Sequence, residues 1–218
     1  VSPASTPAPR LVARSGTEVL LTVESPSSAA DAIGNVVLGG ILFDANGIAA
    51  NALFMAAVQN SVVRNCHFQG ATAAQIETGY GSGSPTLKQV YSCIFEGIWV
   101  HATGDAVGIL LDGEPGGAGG NRTSFCTFLH FHITHDDGPG LLLADADTNY
   151  FAFAGISRTG DGVGIELVGD QEEGQDLCEN NVFVAVHAGF GGWYAHGPKA
   201  LRNNALGMMT TDTVPVSI

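Results

Sequence analysis

The sequence predicts an all-β chain whose short strands stack as the coils of a single-stranded parallel β-helix, about seven coils in one elongated unit. Three observations predict it. A short phrase returns along the chain: Gly40-Ile41-Leu42-Phe43, Asn65-Cys66-His67-Phe68, Ser92-Cys93-Ile94-Phe95, Phe125-Cys126-Thr127-Phe128, Tyr150-Phe151-Ala152-Phe153, Asn180-Asn181-Val182-Phe183 and Asn203-Asn204-Ala205-Leu206. Its steps are 25, 27, 33, 25, 30 and 23 residues, a period at which no unit buries its own apolar face and each must stack on its neighbours. A second phrase, a turn residue before a short apolar run, falls between the copies: Ala52-Leu53-Phe54-Met55, Gln75-Ile76-Glu77-Thr78, Gly108-Ile109-Leu110-Leu111, Gly140-Leu141-Leu142-Leu143, Gly164-Ile165-Glu166-Leu167 and Gly192-Trp193-Tyr194-Ala195. Finally, 30 Gly and 9 Pro among 218 residues leave no room for long amphipathic helices, and every apolar run is bounded by turn residues.

Taken in chain order, residues 1–33 form a linker-like segment and an incomplete first coil, 34–207 the repeat itself, and 208–218 a cap or tail. The opening Val1-Ser2-Pro3-Ala4-Ser5-Thr6-Pro7 lacks Met and a signal-peptide pattern. The reading is a piece of a longer protein, with missing coils or a cap before Leu20. Met208 to Ile218 leaves the cadence, and either caps the last coil or reaches a neighbouring chain.

Composition narrows the partners. Hydrophobic residues make up 45% and charged residues 13%, which suits a buried interior under a neutral, Gly- and Asn-rich exterior. With 8 Lys and Arg against 21 Asp and Glu, a formal charge of −13, no basic stripe exists for phosphate contacts, and nucleic acid is excluded as a partner. Anionic polysaccharides are repelled unless a cation bridges them, while neutral glycans stay open. No run of 18 apolar residues occurs, so no membrane insertion is expected. Acidic residues follow the apolar strands at Asp112, Glu114, Asp145, Asp147, Asp170, Glu172 and Glu173. Stacked about 4.8 Å apart, carboxylates such as Asp112, Asp145 and Asp147 are candidate Ca²⁺ ligands, or a solvated edge. No cofactor is otherwise required.

Cys66, Cys93 and Cys126 each stand two residues before Phe68, Phe95 and Phe128, which predicts a buried ladder of free thiols in one slot of three consecutive coils. In-register neighbours have parallel Cβ vectors, poorly suited to a disulfide. Cys178 has no evident partner, and without a Cys-x-x-Cys pair zinc is not expected. Asn65, Asn180, Asn181, Asn203 and Asn204 read as structural turn residues able to stack their amides. The sequon Asn121-Arg122-Thr123 matters only if the chain is glycosylated.

Function is sought in the strand after each Phe. Counted from that residue, the third position is Ile98, Phe131, Ile156 and Val186, inward; the fourth is Trp99, His132, Ser157 and His187, outward; the second is Gly97, His130, Gly155 and Ala185. The next turn adds His101 and His135-Asp136-Asp137, with Asp161 at the offset of Asp136. One outer face thus gathers Trp99, His101, His130, His132, His187 and Asp137. Three readings are open. An aromatic plane with flanking imidazoles binds a glycan. Alternatively Asp136 and Asp161, near the roughly 5–5.5 Å separation of a retaining glycosidase pair, and His135 as a proton-abstracting base, make the face catalytic, in a lyase or glycoside hydrolase. In the third reading another chain covers the face.

The Gly-Ile-x-Leu … Asn-x-x-Phe cadence, from about Asn35 to Gly207, resembles the right-handed, pectate-lyase-like β-helix superfamily, closest in style to the β-helix modules of phage or virion spikes and fibres. That resemblance implies a right-handed coil, a homotrimer, an extracellular or virion-surface location, and a polysaccharide partner recognised within an oligomeric spike; a structural spacer is the remaining class. The enzyme signatures of the superfamily are incomplete here. Asp136-Asp137 and His196-Gly197 match two polygalacturonase elements without the other two, and His135-Asp136 keeps only half of the epimerase Asp-Pro-His-Asp, so no family catalytic residue carries over.

Overall fold

The computed structural model describes residues 8–25, 32–79, 90–112, 122–144, 146–169, 178–189, 192–196, 202–207 and 209–210. Glu114, Asn121, Asp145, Asp170, Glu172, Glu173, Gly197, Met208 and the stretch 211–218 lie outside them. Among the described residues there is no helix, and hence none long and apolar enough to cross a membrane. The strands form curled sheets of thirteen, seven and five strands, and the strand pairings are parallel. The chain visits the sheets in a fixed rotation. From Val37 to Asp147 two short strands of the large sheet are followed by one of the seven-stranded sheet and one of the five-stranded sheet; in the next two circuits the large-sheet pair is the single strand Tyr150–Arg158 and then Val182–Gly189, and strands pair with their counterparts one circuit away. Strands Arg10–Val12 and Val19–Glu24, inside the segment 1–33, already pair with Leu42–Asp44 and Asn51–Ala56.

The large sheet has two flanks, and each sends one column of side chains inward. On the first flank the inward column is Leu38, Val63, Phe95, Phe128, Phe151, Phe183 and Ala205. On the second it is Phe43, Phe68, Val100, Ile133, Ile156 and Ala188. The second column sets the circuit lengths at 25, 32, 33, 23 and 32 residues. Within these two columns each circuit places one Phe, on one flank or the other, opposite a smaller residue; the circuit of Phe128 also buries Phe131. The rings stack along the axis, Phe43 on Phe68 at 4.8 Å and Phe95, Phe128, Phe151 and Phe183 in succession at 4.5, 4.9 and 4.7 Å. All six are fully buried.

Two expectations about register are corrected here. Phe68 belongs to the second flank and Phe95 to the first, so the 27-residue step joins different columns. Cys66 consequently leaves the thiol ladder: it lies beside His67 on the second flank, while Cys93 and Cys126 remain in register on the first. All four cysteines are buried thiols. The slot of Cys93 and Cys126 continues as Asn149, Asn181 and Asn203, one residue before the paired Tyr150, Val182 and Asn204. There the amides form a ladder. Asn149 Nδ2 donates to Asn181 Oδ1 and Asn181 Nδ2 to Asn203 Oδ1, each at 3.0 Å, and the same oxygens accept the backbone N–H of Asn149 and Asn181.

The second correction concerns the fourth circuit. Of the two phenylalanines in Tyr150-Phe151-Ala152-Phe153, the inward one is Phe151, whereas Phe153 is 55% exposed. Phe153 occupies the corner between the flanks, where Gly40, Asn65, Gly97, His130, Ala185 and Gly207 also stand, all with φ between +50° and +69°. This left-handed residue shifts the in–out alternation by one, which is why Phe95 and Val100, five residues apart, both point inward.

Candidate functional site

The corner fixes what the second flank presents outward. With Gly97 and His130 aligned at the bend, the residue two places on in each circuit faces solvent, giving the register His67, Trp99, His132, Gly155 and His187. Gly155, not Ser157, stands beside His132, since counting from Phe151 moves the position back by two. Trp99 is 58% exposed, and its ring lies 5.0 Å from that of His132 at 34°. Gly155 provides room for this arrangement, because a Cβ there would come within 3.1 Å of His132 Cδ2. At the corner the exposed rings of His130 and Phe153 stack at 5.3 Å and 13°. His101 is exposed one column over, level with Gln69 and Thr134. Five of the seven histidines of the chain thus share this flank.

A shallow depression of about 400 Å³ opens beside the column, lined by Asn65, Cys66, His67, Gly97 and Trp99. Its floor is open because position 97 is glycine: a Cβ would lie 2.6 Å from Asn65 Oδ1. Burial and the neighbouring His101 keep the imidazole of His67 neutral to lower pH than usual, against the pull of Asp44. Sequence reasoning missed His67 and Phe153. The available signal was the corner: aligning Asn65 with Gly97 and His130 puts His67 in the column of Trp99, and taking Phe151 as the inward ring puts Phe153 beside His130.

The candidate catalytic residues differ in exposure and register. His135 faces the interior with no exposed surface. Its Nδ1 is 2.8 Å from the Gly138 carbonyl, which can only accept, so Nδ1 carries the proton and the buried Nε2 is left without a partner. Burial lowers its proton affinity further. Asp161 is out of register with Asp136, because Thr159 stands there: His135 pairs with Arg158, one residue earlier. The Thr159 hydroxyl and the Gly104 N–H both donate to the Asp136 carboxylate and hold it below the usual carboxylate range. Asp137 Oδ1 accepts the Asp161 N–H at 3.1 Å. These aspartates tie three successive turns together.

The acidic edge is spread over two sheets. Asp112 follows the strand Val107–Leu111 of the seven-stranded sheet, and Asp147 belongs to the five-stranded sheet, where its carboxylate accepts the Ser124 hydroxyl and lies 4.0 Å from Arg122. Among the described residues no three His, Cys, Asp or Glu are grouped to hold a metal ion. Comparison of the chain with protein-family models, curated proteins and solved structures gives no match.

What this flank offers chemically is an exposed indole braced by an imidazole, a second stacked pair at the corner, and ring nitrogens able to donate and accept. A pyranose ring packs its C–H face on such an aromatic plane while its hydroxyls pair with the imidazoles.

Proposed function

We propose that the chain is a right-handed parallel β-helix module that recognises a polysaccharide along the second flank of its large sheet. Cyclic passage through three curled parallel sheets supports the helix, and the handedness follows from the right-handed rule for parallel crossovers. The observation that carries the glycan reading is the outward column His67, Trp99, His132, Gly155, His187, with Trp99 58% exposed. A linear polymer lying along the axis meets a ring or imidazole on three successive circuits from His67 to His132, about 4.8 Å apart, and again at His187 beyond Gly155. Binding without cleavage is favoured over a lyase or hydrolase because Asp136 and Asp137 hold turns and His135 is buried.

The first flank supports assembly. Its outward positions include Val37, Ile94, Tyr150 and Leu206, exposed by 59, 41, 37 and 62%, beside the oppositely charged Arg64 and Glu96 in register, a partly apolar surface of the kind that subunits cover. A homotrimeric spike or fibre at an extracellular or virion surface joins both features, with the first flank inside the assembly and the second outside. The test is a glycan array probed with the chain in Ca²⁺ and in chelator, reading retention and released reducing ends. Retention without cleavage, abolished by Trp99→Ala, is the expected result. Released reducing ends would move the function to a polysaccharide-degrading enzyme, and no retention by an oligomeric chain would leave a structural spacer.

A further inference from the structure

Resting on the polysaccharide reading above, we infer that the column from His67 to His187 receives an acidic glycan, bearing carboxylate or sulfate groups, and receives it in the imidazolium form. The column is an acid-gated anion site on an anionic protein.

The argument starts from which charges the face lacks. Between Leu42 and His187 the outward column reads Leu42, His67, Trp99, His132, Gly155 and His187, with no Lys, Arg, Asp or Glu. The next outward column reads Asp44, Gln69, His101, Thr134, Ser157 and Gly189. Its one carboxylate is closed off: Asp44 is 4% exposed, paired with Arg10, and accepts the Asn46 N–H and the Gln69 amide. Around the rim stand Asp105, Asp136, Asp137 and Asp161 on the following turns, Arg158 at the end of the strand pairing with His135, and on the first flank Arg64 and Glu96, opposite charges in register. Asp136 and Asp137 are occupied by their turn contacts. Apart from Arg10, which heads the column in register with Leu42 and is paired with Asp44, the face takes its charge from imidazoles.

Imidazole is the side chain whose ordinary titration falls between pH 5 and 8. On a chain of net charge −13 with its histidines counted neutral, a polyanion is repelled. Protonated imidazoles in this column place charges two strand separations apart, about 10 Å, with His67 joining only at lower pH than is usual for a histidine because burial and His101 lower its proton affinity. Gly155 matters here. It leaves a notch between His132 and His187, and the His132 ring already leans over it. An acid group in that notch can accept charge-assisted N–H bonds from both sides, stronger than those of a neutral hydroxyl. The cation that an acidic glycan needs on this protein is supplied by the fold.

The test uses the full 218-residue chain on an array of neutral, carboxylated and sulfated glycans, at about pH 5 and about pH 7.5, with circular dichroism at both to show that it is folded. Acidic glycans are expected to be retained at least about tenfold more strongly at the lower pH, and neutral glycans equally at both. Combining His67→Gln, His132→Gln and His187→Gln should remove the difference, and Gly155→Val, which fills the notch, should reduce it. Equal retention of acidic glycans at the two pH values, or a difference that persists in the triple variant, overturns the inference. Retention of neutral glycans alone, lost in Trp99→Ala, overturns the acid gate and leaves the polysaccharide reading standing. A folded chain that retains nothing at either pH removes both.

Discussion

The two flanks of the large sheet share strand geometry, parallel register and an inward hydrophobic column, yet they face solvent with different chemistry. The first presents Val37, Val62, Ile94, Thr127, Tyr150 and Val182; the second presents Leu42, His67, Trp99, His132, Gly155 and His187. Only a single left-handed residue per circuit separates them. Backbone and core are thus indifferent to what the surface presents, and the difference between the flanks sits in one residue in two along a few short strands. That separation can be broken by variants aimed at what the flanks share or at what they do not.

The largest effect is expected where the flanks share a core. Phe128 is fully buried between Phe95 and Phe151 and also meets Phe131 edge-on at 6.3 Å. Phe128→Ala should cost about 3–5 kcal/mol, read as a lower urea midpoint, with both flanks failing together. Cooperative loss of tryptophan fluorescence and circular dichroism would agree. A variant that unfolds only one flank would show that the two columns are separate cores.

Next comes the amide ladder, which supports the first flank alone. Asn181→Ala removes the acceptor for the Asn149 backbone N–H and amide, and the donor to the Ala146 carbonyl. Leaving such buried groups unpaired should cost about 1–3 kcal/mol. Hydrogen exchange should quicken first around residues 146–150 and 181–183; equal quickening at Trp99 and His132 would contradict a local ladder.

How much of this was legible follows from the same geometry. Alternation and period predicted stacked strands, the buried Phe residues and most of the outer face. They could not choose between Phe151 and Phe153, because both lie on the same parity, and only the left-handed corner tells them apart. They could not assign Phe68, because each cross-section has two inward slots and a Phe fits either when its partner is small. Both errors then spread outward, moving Gly155 to Ser157, leaving out His67 and matching Asp161 with Asp136. The burial of His135 was within reach of alternation: it follows inward Ile133 by two residues and shares its side of the strand.

That histidine gives a smaller, pH-dependent effect. Its folded proton affinity is depressed by burial, so the unfolded chain binds the proton more readily. Stability from the neutral ring is complete above the ordinary histidine range, about pH 6.5, and falls as pH drops from there toward the lower folded value. His135→Asn keeps a donor toward Gly138 and removes the titration. The expected result is a flatter dependence of the urea midpoint between about pH 7.5 and pH 5, and an unchanged slope would sink this account. The core opposes acid while the outer imidazoles would use it, so the two faces of one strand, His132–His135, set limits on each other.

The smallest effect on stability is expected where the flanks differ most in function. Trp99 is 58% exposed and its one ring contact among the described residues is with His132, so Trp99→Ala should change the unfolding free energy by about 0.5 kcal/mol or less while abolishing glycan retention. Ile94, 41% exposed on the other flank, should behave in the opposite sense. Ile94→Asp places a charge on the apolar surface, costs within about 1 kcal/mol, and should lower the mass seen by light scattering while each chain keeps its glycan site. The pair makes a crossed test. If Trp99→Ala dissociates the assembly, or Ile94→Asp abolishes retention by a folded chain, the flanks are not independent and the glycan site is built across a subunit boundary. If each variant disturbs only its own readout, recognition and assembly occupy neighbouring flanks of one sheet, divided by the corner that carries Gly97, His130 and Phe153.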